Sequence, residues 1–118
     1  MRNKIMVLIV SGSLVLLTAC AQLNHHPMDM AQAVQNAKTR ADHESLAKHY
    51  EDAANEMQAK LAEHQSMFAQ YEAQQQYYGR RGLDMEAMCR ALIHYYTQAV
   101  ESNRQMAKSH RELAIQAR

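Results

Sequence analysis

Histidine, methionine, tyrosine and cysteine are the side chains here that could do chemistry, and several are spaced as if on one surface. Counting by sevens from His43 gives His43, Tyr50, Met57, His64, Tyr71 and Tyr78. Counting by sevens from Cys89 gives Cys89, Tyr96, Asn103 and His110. Seven residues make nearly two helical turns, so each series forms one slowly drifting stripe. A third group, His25-His26-Pro27-Met28-Asp29-Met30, packs four imidazole and thioether donors into six residues. Imidazole suits copper, zinc or haem iron, and thioether favours Cu(I). The alternative is hydrogen bonding between the stripes, since a buried imidazole or phenol without a partner costs about 1–3 kcal/mol.

Stripes of this length need long helices to carry them. Residues 39–78 contain neither Gly nor Pro and are rich in Ala, Glu, Gln, Lys and Met, a composition that favours helix. Thr39-Arg40-Ala41-Asp42 fits a capping box and predicts a helix start near Arg40. The first long helix is therefore expected over 40–78, with Ala47, Ala54, Leu61 and Phe68 on one flank of the His43 stripe and Leu46, Ala53 and Met67 on the other. Glu56 stands four residues before Lys60, the favourable order for a helical ion pair. Gly79-Arg80-Arg81-Gly82 predicts a reversal over 79–83. Asp84 is the expected cap of a second helix over 85–116, with Leu83 stapled onto Met88 and Glu86 near the positive helix end. That helix has Met85, Leu92, Ala99, Met106 and Leu113 on one edge and Ile93, Val100, Ala107 and Ala114 on the other, with the Cys89 stripe between them. Upstream, residues 28–38 could form a short helix with a thin apolar face.

The fold class expected is all-α: a long antiparallel helical hairpin in a domain spanning 28–118. A reversal centred between Arg80 and Arg81 sets Tyr50 level with His110, Met57 with Asn103, His64 with Tyr96, and Tyr71 with Cys89 or Arg90. The middle of each apolar face thus carries polar-capable groups at matching heights. Large aliphatic side chains are scarce and much of the apolar content is Ala and Met, so a lone hairpin buries little. A homodimer forming a four-helix bundle is the preferred arrangement over a monomer using 28–38 as a third helix. In such a bundle His64 with its symmetry mate, or with Met57 or Met67, could hold copper or a haem iron; His110, Met106 and Cys89 are further candidate ligands. The expected core line lacks carboxylates, which argues against a ferritin-type di-iron site. His43 beside Glu44, and His49 beside Glu51 or Asp52, are candidate surface zinc pairs.

The amino-terminal region gives the address. Met1-Arg2-Asn3-Lys4 is a short basic start, and 5–17 is an apolar run too short to span a membrane comfortably. It ends in Leu17-Thr18-Ala19-Cys20, which resembles the bacterial lipoprotein lipobox. The resemblance implies that 1–19 is a signal peptide, that Cys20 is lipidated and that 20–27 is a tether. Several acyl chains anchor stably where one does not. Ala21 is not the Asp that resembles an inner-membrane retention signal, so attachment to the outer membrane, facing the periplasm, is expected.

Loss of Arg2 and Lys4 with the leader leaves 11 of the 13 basic side chains against 12 acidic ones. These are mixed along the helices, giving no basic patch for nucleic acid. With Cys20 lipidated, Cys89 is the remaining thiol, suited to a disulfide between chains, to burial or to ligation. No Cys-x-x-Cys-His occurs for covalent haem, and no catalytic triad order, phosphate loop or His-Glu-x-x-His is present. The opening from Ala41 to Lys60 and the Gly-hinged hairpin resemble small helical bacterial lipoproteins that carry no assigned activity. That resemblance implies a non-enzymatic envelope interaction or scaffold module, membrane-bound through Cys20, with an envelope protein as possible partner. The alternative is a periplasmic copper-, zinc- or haem-binding bundle, although nothing in the donor set demands a cofactor.

Overall fold

The computed structural model describes residues 29–117. The chain divides at Met30 into two units, and the second, Ala31–Arg118, is the hairpin. Its helices are α1 (Met30–Asn36), α2 (Arg40–Ala73), α3 (Gln75–Tyr78) and α4 (Arg80–Gln116). No strand occurs among the described residues, and none of their helices is long and apolar enough to cross a membrane.

The start of α2 is the expected capping box. The Asp42 backbone N–H donates to the Thr39 hydroxyl at 3.2 Å, and the Asp42 carboxylate accepts from the Thr39 N–H at 2.9 Å. A further bond from the Lys38 N–H at 3.1 Å joins it. The backbone donors of Thr39 and then Lys38 hold the Asp42 carboxyl down at about 2. From that cap α2 runs for 34 residues, roughly 51 Å at 1.5 Å per residue.

The reversal centres on Gly79, with two differences from expectation. Helix α2 stops at Ala73, and Gln74 breaks the ladder before the single turn of α3. Helix α4 then begins at Arg80, so Arg80 to Asp84 are helical, Asp84 caps nothing, and Leu83 and Met88 stay exposed without forming a staple. The physical reason lies at Gly82. A Cβ there would stand 2.9 Å from the Tyr78 Cβ. Glycine lets the returning helix start against Tyr78, and that close approach outweighs its poor helix propensity. Gly79 itself has φ +55° and ψ −138°, a conformation that makes the chain turn back at one residue.

Helices α2 and α4 pack along their length. The buried apolar side chains among the described residues are Leu46, Ala47, Ala54, Leu61, Cys89, Val100, Ala107 and Ala114. The seam therefore runs along the Ala47 flank of α2, joined by Leu46 from the other flank, and along the Val100 edge of α4, joined by Cys89 and His110 of its expected central stripe. The stripe from His43 to Tyr78, expected at the centre, lies half-buried beside it. Small side chains hold much of the centre because they let two helices approach closely, and the rings of the α2 stripe are displaced to the edge. The expected absence of a buried carboxylate is also corrected: Glu86 is 6% exposed and its Oε1 accepts from Gln75 Nε2 at 2.9 Å. Helix α1 buries no residue, so it is no third helix of a core.

Candidate functional site

Register decides which side chains meet, and it is the register of a reversal centred near Arg80. His64 stacks on Tyr96, ring centres 5.4 Å apart and planes within 12°. Tyr50 stacks on His110 at 5.6 Å and 7°. Outside the seam Arg111 pairs with Glu51, Arg104 Nη2 donates to Gln58 at 3.4 Å, and the Arg90 guanidinium lies 5.4 Å from the Phe68 ring centre. The Glu51–Arg111 pair is half-exposed and contributes little to stability. The Met57–Asn103 layer is level but unbonded by the amide, which turns back to donate to the Ala99 carbonyl at 2.8 Å.

The lower layer holds two imidazoles rather than one. His43 Nδ1 lies 3.2 Å from His110 Nδ1, the rings stacked at 5.4 Å, with Tyr50 on the other ring contact of His110. One Nδ1 must carry a proton and the other must not, so the bond exists only while at least one ring is neutral. His110 is 5% exposed. Burial pushes its pKa below the ordinary 6.5, and the neighbouring His43 acts in the same direction. The unfolded chain then takes up a proton more readily than the folded one. Stability from this layer is complete above about pH 6.5 and is lost as pH falls through the lowered folded value. Urea midpoints measured from about pH 8 down to about pH 5 should fall, and His110→Gln should flatten that fall. A slope unchanged by the substitution would assign the titration elsewhere.

The upper layer opens into a pocket of about 120 Å³ lined by His64, Met67, Tyr71, Met85, Met88, Cys89 and Leu92. Two short patterns build it. On α2, His64, Met67 and Tyr71 follow one another by three and four; on α4, Met85, Met88 and Leu92 do the same, with Cys89 four residues after Met85. Cys89 is 4% exposed and is a free thiol. His64 Nδ1 is buried with no hydrogen-bond partner among the described residues. Leaving it so costs about 1–3 kcal/mol, because stacking on Tyr96 satisfies the ring face and not the nitrogen. Tyr71 and Cys89, expected level, are both in this lining.

The expected ligand set is thus divided. His64 and Cys89 line the same pocket one layer apart, roughly 10 Å along the helix axis, whereas His110 sits two layers from His64, roughly 21 Å. Met57 is half-buried, and Met106 is 40% exposed on the outer edge of α4. Met30 opens α1, half-buried; Cys20, His25, His26 and Met28 lie outside the described residues. The carboxylates of the surface zinc pairs are engaged otherwise: Glu44 with Arg40 at 2.7 Å, Asp52 with Lys48 at 2.7 Å, and Glu51 with Arg111. Lys60 likewise pairs with Glu63 at 3.2 Å rather than with Glu56. Met85 and Met88 could be placed in this lining only by setting Met-x-x-Met-Cys opposite His-x-x-Met.

A third feature is the outer edge of α4. Met85, Met88, Tyr95, Met106 and Leu113 are 37%, 66%, 61%, 40% and 42% exposed. With half-buried Leu92 and Ala99 they make a continuous apolar stripe spaced by threes, fours and sevens. Comparison with known proteins gives no match: no protein family, curated protein or solved structure is significantly similar to this chain.

Proposed function

We propose that this chain is a lipid-anchored helical module of the cell envelope, non-catalytic, held through Cys20 on the periplasmic side of the outer membrane. Its hairpin pairs with a second copy through the outer edge of α4 and offers the charged remainder of both helices to an envelope partner. The observation that carries this is the exposed stripe from Met85 to Leu113. Four of the eight buried apolar residues are alanines, so the hairpin core is thin and a second layer adds the apolar burial that a stable bundle needs. The lipobox resemblance of Leu17-Thr18-Ala19-Cys20 supports the anchor.

Two measurements on the full chain test the two halves. Expressed in a bacterium with two membranes, the chain should fractionate with the outer membrane and carry acyl mass at Cys20, and Cys20→Ser should abolish both. In detergent, light scattering should give a dimer, and a Met106→Glu, Leu113→Glu double variant should give a monomer of equal helicity per chain. A wild-type monomer removes the pairing; an unacylated chain removes the anchor.

A further inference from the structure

We propose that the pocket between His64 and Cys89 is a socket for the Tyr95 ring of a second copy of this chain, lying parallel to the first. The inference rests on the pairing proposed above. It adds which side chain locks the pair and which way the two rods point.

The first ground is what the pocket shares with the pairing edge. Met85, Met88 and Leu92 belong both to its lining and to the apolar stripe of α4. A second copy laid on that stripe therefore lies over the pocket. About 120 Å³ is well below the roughly 300 Å³ at which pockets for small-molecule ligands begin, and it leaves room for one side chain. The lining contains no Asp, Glu, Lys or Arg, which suits an aromatic ring.

Position on the helix selects the ring. Tyr95 is 61% exposed and is the bulkiest exposed side chain on the stripe. It meets Tyr96 edge-on at 5.2 Å between ring centres, and Tyr96 lies on His64. Tyr95 thus stands within about 2 Å of the His64 level along the axis. Helical side chains lean toward the N-terminus of their own helix, which on α4 is the direction from the His64 level to Cys89. A second copy at the same height brings its Tyr95 to the His64 end of the socket and lays the ring along it. Two-fold symmetry fills both sockets at once. A buried phenol needs a hydrogen-bond partner. The lining offers the Tyr71 hydroxyl, the Cys89 thiol and His64 Nδ1, which is buried with no partner among the described residues.

Equal height means parallel rods, and the anchor favours them. The 20 residues from Cys20 to Thr39, seven of them helical in α1, reach at most roughly 55 Å when drawn straight. With both copies anchored in one membrane, an antiparallel pair would set one start of α2 further out by the length of that helix, roughly 51 Å. One connecting segment would be held at almost full stretch, at a large cost in conformational entropy. A parallel pair asks no such stretch.

The test uses the full chain in detergent and reads the dissociation constant of the pair by sedimentation. Tyr95→Ala should raise it about thirtyfold or more. Tyr95→Phe, which keeps the ring, should raise it by less than about tenfold. Tyr77→Ala, at the tip and off the stripe, should leave it within about twofold. Met67→Ala, in the α2 wall of the socket, should weaken pairing too, and its effect should fall short of adding to that of Tyr95→Ala. Helicity should be unchanged in each. For direction, Leu113→Cys should link to itself on mild oxidation and should not link to a Met85→Cys chain mixed with it. A wild-type monomer removes the pairing and the socket together. A wild-type dimer that is indifferent to Tyr95→Ala, shows simple addition with Met67→Ala, or links position 113 to position 85 leaves the pairing standing and overturns the socket.

Discussion

Leu46→Ala is expected to lower the unfolding free energy by about 2–5 kcal/mol, against a total of roughly 5–15 kcal/mol for a domain of this kind. Leu46 is 2% exposed and is the largest side chain so completely enclosed among the described residues. Its neighbour Ala47 is also 2% exposed, and Ala54, Ala107 and Ala114 carry no side-chain volume to spare. Alanines cannot reorient to fill a vacated space, so the cavity term should add fully to the lost transfer energy. Urea denaturation followed by circular dichroism measures it, at several protein concentrations because pairing would make the midpoint concentration-dependent. Leu113→Ala is the control: Leu113 is 42% exposed, so its loss should stay within about 0.5 kcal/mol in the monomer. Equal effects at the two positions would mean that Leu46 is not enclosed between the helices.

Gly79→Ala is expected to cost about 1–3 kcal/mol, for a reason that involves no neighbour. Nothing lies within 4 Å of where the new Cβ would sit. The penalty comes from φ +55° with ψ −138°, a backbone conformation that only glycine adopts easily. Relief requires the chain to turn elsewhere, which would shift α4 along α2 and misplace every layer. The readout is therefore double: a lowered midpoint, and loss of the His64–Tyr96 ring contact seen as a change in near-ultraviolet dichroism. A variant as stable as wild type would show that the reversal does not depend on this residue.

Much of the hairpin could be read directly. Thr39 and Asp42 announce the start of α2, Gly79 its return, and the pair of sevenfold stripes places His64 beside Tyr96 and Tyr50 beside His110. What could not be read was which line of each helix faces the other. Hydropathy ranks Tyr, His and Met as candidates for the centre beside Leu, whereas two bare helices are drawn together along whichever line is smallest. Ala47, Ala54, Ala107 and Ala114 form that line, and their small size is the reason. The start of α4 was missed because Gly82 and Asp84 read locally as a loop and a cap. The contact that overrides them, Gly82 on Tyr78, exists only once the chain has turned. Glu86 was assigned to a helix terminus for the same reason, and its burial follows from Gln75, presented by a break at Gln74 that has no Gly or Pro to mark it. The pocket lining was half visible: His64 and Cys89 were singled out, but Met85 and Met88 appear in it only when the lengthwise offset of the two helices is known.

A seam of alanines is smooth. Two rods touching along small side chains meet little resistance to gliding past each other, because there are few bulky teeth to mesh. The stacked rings then act as detents: Tyr96 under His64 and His110 between Tyr50 and His43 hold the slide at one notch. Aromatic side chains in this chain accordingly serve less as filler than as a position stop, and their removal should blur where the rods come to rest before it separates them.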